Sequence, residues 1–197
     1  MSEKKLLALF AKQTQALKAA TDDAEEFHRQ CLAVAQQMQQ AFAVGNKVLV
    51  AGNGGSAAEA QHLSDEMVGR YAIDRRPYPV ISLTADSAVI TCIGNDFGYE
   101  QVFSRQIEAL GQEGDMFIGL TTSGTSTNIL LAAKKAREVG MTVVALTGPK
   151  GTFKDIADYA VIAPSEINPR MQEFHLHAIH LICEAFEHPD LITDSLS

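Results

Sequence analysis

From Lys47 onward the chain alternates short apolar runs with stretches of helix-forming residues, and no other feature restricts its fold as much. Strand-like runs cover Lys47–Ala51, Pro79–Thr84, Asp115–Thr121, Met141–Thr147 and Tyr159–Pro164. Each is short and continuously apolar, the pattern of a strand buried on both faces. Helices are expected from about Ser56, briefly after Asp86, over Tyr99–Leu110 ending at Gly111, and over Ser126–Val139 ending at Gly140. A last helix runs from Asn168-Pro169 to about Glu187, with Asn168 as cap and Pro169 as its first residue. Such alternation specifies an α/β chain with a doubly wound, five-stranded parallel sheet and helices on both faces. Ligands of these sheets bind beyond the carboxyl ends of the strands.

Residues 1–45 precede this core and read as a helix pair. Leu6, Phe10, Thr14 and Leu17 share one face of the first helix, and Thr21-Asp22-Asp23 breaks it. Asp22, followed three residues later by Glu25, suits a capping box. Phe27, Cys31, Val34, Met38 and Phe42 then recur at helical spacing up to Gly45. The two apolar faces need cover, and a second subunit is one candidate.

Composition removes several function classes. Across 197 residues, 16 basic and 24 acidic side chains leave a net charge of −8 with no basic cluster. This argues against nucleic-acid and membrane-surface partners, both of which need local Lys/Arg density. The three cysteines, Cys31, Cys92 and Cys183, are widely spaced and odd in number. They read as reduced thiols of a cytoplasmic protein. The start, Met1-Ser2-Glu3-Lys4-Lys5, has no uninterrupted apolar segment behind it, and no run approaches membrane-spanning length. The whole of 1–197 is expected to be one domain.

Three small, polar turns follow strand ends: Gly52-Asn53-Gly54-Gly55-Ser56, Thr121-Thr122-Ser123-Gly124-Thr125-Ser126 and Thr147-Gly148-Pro149-Lys150-Gly151. The first two open helices, where free N–H groups and the helix dipole favour an anion. The middle turn adds hydroxyls suited to a phosphate. Neither is a Walker loop, which ends GK[ST], nor a GxGxxG fingerprint, which needs glycine where Ala57 stands. One turn past the first loop, His62 and Glu66 share a helical face. On the last helix, Gln172 and His180 lie about 80° apart and can address one site. His62, Glu66 and His180 would give three ligands of the kinds zinc prefers, with Gln172 an unusual fourth. For any single histidine, including His28, His175, His177 and His188, a surface or packed side chain remains the commoner outcome. Asn95 and Asp96, in Gly94-Asn95-Asp96-Phe97-Gly98-Tyr99, suit either a turn or contacts to sugar hydroxyls.

The segments AGNGGSAAEAQHLSDEMVGRY, IGNDFGYEQVFSRQIEALGQEGD, TTSGTSTN and PRMQEFHLHAIH, in this order, resemble the sugar-isomerase (SIS) fold, which is flavodoxin-like, and more closely the bacterial phosphoheptose isomerases. The resemblance covers nearly the whole chain. It implies isomerisation of D-sedoheptulose 7-phosphate to D-glycero-D-manno-heptose 7-phosphate, the first step toward nucleotide-activated heptose. It implies a homotetramer assembled with help from residues 1–45, and one zinc ion per subunit held by His62, Glu66, Gln172 and His180. By the same resemblance Glu66 and His180 are the proton-transfer pair. Asn53, Gly54, Gly55, Ser56, Glu66, Asn95, Asp96, Thr121, Thr122, Ser123, Ser126 and Gln172 contact substrate, with Thr121, Thr122, Ser123 and Ser126 on the phosphate. An enediol route needs a base on carbon and an acid on oxygen, and a metal would polarise the carbonyl.

The chain departs from the family pattern at Thr121, where Ser is usual, at Thr125, where Asn is usual, and at Thr152, where Gly is usual. Two rival readings are a non-catalytic SIS paralogue that binds the bacterial replication initiator and an isomerase of another phosphosugar. The former typically loses the counterparts of Glu66 and His180, and both are present here.

Overall fold

The computed structural model describes residues 3–22 and 24–194; Met1, Ser2 and Asp23 of the turn above lie outside them. The elements run α1 (Glu3–Thr21), α2 (Glu25–Ala43), β1 (Val48–Gly52), α3 (Gly55–Val68), β2 (Val80–Ser82), α4 (Ser87–Phe97), α5 (Ser104–Leu110), β3 (Met116–Thr121), α6 (Thr127–Val139), β4 (Thr142–Thr147), α7 (Phe153–Ile156), β5 (Tyr159–Ile162), α8 (Asn168–Glu187) and α9 (Pro189–Asp194). The sheet is parallel throughout, in the order β2-β1-β3-β4-β5. The order reverses between β1 and β3, so the crevice of a doubly wound sheet opens there. Register pairs Gly52 with Leu120 and Thr121 with Thr147, which brings the ends of β1, β3 and β4 to one edge. All three polar turns therefore emerge together.

Alternate strand residues feed two cores. Val48, Val50, Ile118, Leu120, Val144 and Leu146 face α2, α3 and α8. Leu49, Ala51, Phe117, Val143 and Ala145 face α4 to α7. The stripe Phe27, Cys31, Val34, Met38 and Phe42 is buried in the first core, so α2 finds its cover within the chain. Helix α1 does not. It buries no residue fully, Phe10 is 62% exposed, and only Leu17 and Ala20 reach the core.

Local punctuation differs from expectation in four places. The Asp22 capping box is not formed, because α2 begins after Ala24 without a side-chain cap. The expected Tyr99–Leu110 helix is a 3-10 turn, Tyr99–Gln101, followed by α5, with the consecutive buried residues Val102 and Phe103 at the break. Asn168 is the first residue of α8 rather than its cap, a position taken by Ile167. Helices α7 and α9 were not foreseen; they are four and six residues long, below the length at which periodicity is visible. Asp86 does cap α4, accepting from the Ala88 and Val89 amides at 2.9 and 3.0 Å. Gly140 ends α6 in the left-handed region, at φ 88°.

Candidate active site

The hydroxyl-rich turn after β3 is tied to itself and to the turn after β4. Thr121, buried at the strand end, lies 2.9 Å from Ser126 Oγ and 3.3 Å from Ser123 Oγ through its Oγ1. Ser123 Oγ also accepts the Thr125 amide at 3.2 Å. Because its hydroxyl faces Thr121, Ser126 begins α6 without capping it by side chain. Gly124 has φ +65°, and a Cβ there would stand 2.5 Å from the Lys150 carbonyl, so only glycine fits. Its carbonyl accepts the Thr152 and Phe153 amides, each at 3.1 Å. The unusual Thr152 thus contributes backbone at this junction. Thr122 is half-buried beside the loop.

Across the crevice, the turn after β1 presents Asn53, Gly54, Gly55 and buried Ser56 at the start of α3. Asn53 and Asn128 form a reciprocal amide pair, with Nδ2 of each donating to Oδ1 of the other at 2.9 and 2.8 Å. The Tyr99 hydroxyl donates to Asn53 Oδ1 at 3.0 Å. These three residues, with Glu100, Ser126 and Thr127, line a cleft of about 500 Å³. Sequence reasoning missed Asn128 and Tyr99. A polar residue in the first turn of α6 was the available signal for Asn128, which is only 4% exposed.

About two and three turns along α3, His62 and Glu66 meet His180 of α8. The Nε2 atoms of His62 and His180 are 3.0 Å apart, and Glu66 Oε1 lies 3.5 Å from His62 Nε2. Donor atoms of all three lie within 4.8 Å of one another. Two nitrogens bound to one tetrahedral zinc at about 2.0–2.1 Å would be about 3.3 Å apart. The His62–His180 and His62–Glu66 spacings straddle that value. His62 Nδ1 points to Asp65 Oδ1 at 3.3 Å, the carboxylate support common behind a ligating imidazole. The trio therefore fits a divalent cation. Gln172 is placed differently, with its Nε2 against Gly55 where a Cβ would otherwise stand. It joins α8 to the first turn and makes no hydrogen bond to the trio.

The two helices are held together below the site. Arg75 donates to the Glu66 carbonyl at 2.8 Å and the Met67 carbonyl at 3.0 Å, and its Nε lies 3.2 Å from Glu187 Oε1 at the end of α8. Glu187 Oε2 accepts the Ile73 amide at 2.7 Å. Tyr71 stands 5.7 Å, ring to ring, from His180. Desolvation first, then the neighbouring Glu184, Cys183, Glu66 and Glu187, raise its phenol pKa. Burial, followed by the nearby His28 and His180, lowers the pKa of His177. His175 is fully buried 3.8 Å from Glu59 and is no part of the trio. Asn95 and Asp96 lie on the exposed end of α4, bonded to each other at 2.7 Å, and neither bonds to the three turns.

Known proteins are similar to this chain in sequence and fold. The SIS domain family matches residues 9–148. A phosphoheptose isomerase of Burkholderia pseudomallei is 49% identical over 156 residues, covering 79% of each chain. One from Clostridium acetobutylicum is 44% identical over 163 residues, covering 82% of this chain and 83% of that one. Among solved structures, phosphoheptose isomerase GmhA from Neisseria gonorrhoeae superposes with a TM-score of 0.83 at 36% identity, covering 94% of this chain and 98% of its own. The chain belongs to the SIS domain family, in the company of its phosphoheptose isomerases.

Proposed function

We propose that the protein is an aldose–ketose isomerase that converts D-sedoheptulose 7-phosphate to D-glycero-D-manno-heptose 7-phosphate through an enediol, the first step toward nucleotide-activated heptose. The observation that carries this reading is the meeting of His62, Glu66 and His180 on α3 and α8, of which α3 opens at the polar turn after β1 next to the sheet's switch point. The names of relatives at 44 and 49% identity, phosphoheptose isomerases, support a phosphorylated heptose as the substrate.

In this reading Thr121, Thr122, Ser123 and Ser126 bind the phosphate at the start of α6, and Asn53, Gly54, Gly55 and Ser56 contact the sugar. Holding the far end of a flexible heptose fixes the reacting carbons near α3 and α8. Glu66 takes the proton from carbon, and His180 protonates or deprotonates oxygen, each reversing its role in the opposite direction. A carboxylate has two oxygens, so one can hold a cation while the other takes a proton. His62, Glu66, Gln172 and His180 would hold one zinc ion per subunit, Gln172 by a change of rotamer away from Gly55. The ion's chemistry, when bound, is polarisation of the substrate carbonyl. Asn95 and Asp96 are assigned to sugar hydroxyls on resemblance; their exposed position beyond the turns gives that assignment no direct support.

The exposed apolar residues of α1, Leu6, Leu7, Leu9 and Phe10, support a role in subunit assembly, which we assign to a homotetramer. Three unpaired cysteines agree with a cytoplasmic location.

The test is turnover of sedoheptulose 7-phosphate by purified protein, with and without chelator, beside Glu66→Gln and His180→Ala. Wild-type turnover that both substitutions abolish is expected. Full activity after metal removal verified by elemental analysis would contradict the zinc assignment. No turnover together with binding to a replication initiator would favour the non-catalytic reading.

A further inference from the structure

We infer that Asn128 and Tyr99 are positioning residues that hold the Asn53 carboxamide with its nitrogen edge free, so that Asn53 meets the ligand as a hydrogen-bond donor. This deepens the proposed function and rests on its reading of the cleft as part of the sugar-phosphate site.

A carboxamide has two lone pairs on oxygen and two hydrogens on nitrogen. Both lone pairs of Asn53 Oδ1 are engaged, one by Asn128 Nδ2 at 2.8 Å and one by Tyr99 Oη at 3.0 Å. One Asn53 N–H is spent on Asn128 Oδ1 at 2.9 Å. A single N–H is left, on the residue that lines the cleft. Turning the amide over would set its NH2 against the Tyr99 hydroxyl and take away the one acceptor that hydroxyl has among the described residues. The clamp also spans the chain: Asn128 is 75 residues from Asn53, and Tyr99 is 46 residues away. It thus joins the turn after β1, the 3-10 turn after α4 and the first turn of α6, which together wall the cleft. A fixed donor selects ligand oxygens that accept, such as carbonyl, enediolate and phosphate oxygens, and does so without reorganisation on binding. Asn128 is buried, and both Oδ1 and Nδ2 of its carboxamide are engaged by Asn53, so its effect passes through Asn53.

The experiment is a double-mutant cycle on sedoheptulose 7-phosphate turnover with Tyr99→Phe, Asn53→Ala and both together, plus Asn53→Asp. One neutral hydrogen bond corresponds to about a 2- to 12-fold change. Tyr99→Phe should raise KM by about that factor, with the larger effect on KM than on kcat. In the Asn53→Ala background it should do nothing further. An equal effect of Tyr99→Phe in both backgrounds, or none in either, overturns the clamp. Asn53→Asp keeps the acceptor edge and removes the donor, so it should lose at least as much affinity as Asn53→Ala; wild-type KM in Asn53→Asp overturns the donor polarity. An amide spectrum of the ligand-free protein provides a readout independent of turnover. The Asn53 side-chain NH2 signals, identified by their loss in Asn53→Ala, should shift in Tyr99→Phe, and unshifted signals overturn the clamp. If the wild type turns over no sugar phosphate, the functional reading fails while these signals still decide the clamp.

Discussion

Replacing Arg75 by Met tests whether the buried link under the active site is what keeps α3 and α8 in place. The Arg75 and Glu187 side chains are only 8% and 4% exposed. Arg75→Met leaves the Glu187 carboxylate buried with the Ile73 amide as its remaining partner and takes the Arg75 donor from the Glu66 carbonyl, while the Met67 carbonyl keeps the Tyr78 amide at 3.0 Å. Removing one partner of a buried ion pair costs about 3–5 kcal/mol. Equilibrium urea unfolding should report a loss of about 4 kcal/mol, a large part of a typical domain's net stability of about 5–15 kcal/mol. Glu187→Gln keeps an acceptor for Ile73 and leaves Arg75 bonded to the Glu66, Met67 and Arg76 carbonyls, so it should cost less, about 1–2 kcal/mol. In the double variant no uncompensated charge remains, and the loss should fall short of the sum by about 1–3 kcal/mol. Activity should fall in Arg75→Met even well below its unfolding midpoint, because Glu66 sits on the turn that Arg75 braces. A loss under about 1 kcal/mol for Arg75→Met, or strict additivity in the double variant, would refute the reasoning.

Other consequences are readily checked. Burial pushes the Cys31 and Cys183 thiols up to about 12, whereas Cys92 is exposed. One thiol per chain should react with Ellman's reagent in the native protein and three in denaturant; rapid reaction of all three without denaturant would contradict the core described here. His177 has its pKa lowered below 6.5, chiefly by burial. Native protein then binds fewer protons than unfolded chain, so this contribution to stability is complete above pH 6.5 and is lost as pH falls through that value toward the folded pKa. His177→Gln should flatten the fall in melting temperature between about pH 7 and 5, and an unchanged slope would count against it. Phe10→Asp should yield a smaller particle than wild type in sedimentation equilibrium; the same mass would argue against α1 as an assembly surface.

Much of this architecture is legible in the sequence because it is written in local periodicity. Val48–Ala51 and Phe117–Leu120 are unbroken apolar runs, and a strand buried on both faces looks no other way. The α2 stripe was visible for the same reason, and so was the shared face of His62 and Glu66. What local pattern does not encode is the partner. It could not tell that α2 would be covered by its own chain while α1 would not. Nor could it show that Asn53 pairs with Asn128, or that Arg75 finds Glu187 112 residues away. Those contacts depend on how the crossovers pack. Helical spacing and the family resemblance both put Gln172 with the metal set, whereas the folded chain sets its amide against Gly55. The cap of α8 was misplaced by one residue because Asn168 and Pro169 both suit a helix start and only the backbone decides between adjacent positions.

The central claim is that Glu66, from the helix behind the first turn, removes a proton from carbon in concert with His180. Running the reaction in D2O and following the sugar by NMR tests it most directly. The wild type should place deuterium on the carbon beside the carbonyl of sedoheptulose 7-phosphate. Glu66→Gln, folded and with bound metal matching wild type, should slow that exchange by about 10²-fold or more. Exchange at the wild-type rate in Glu66→Gln would contradict the account.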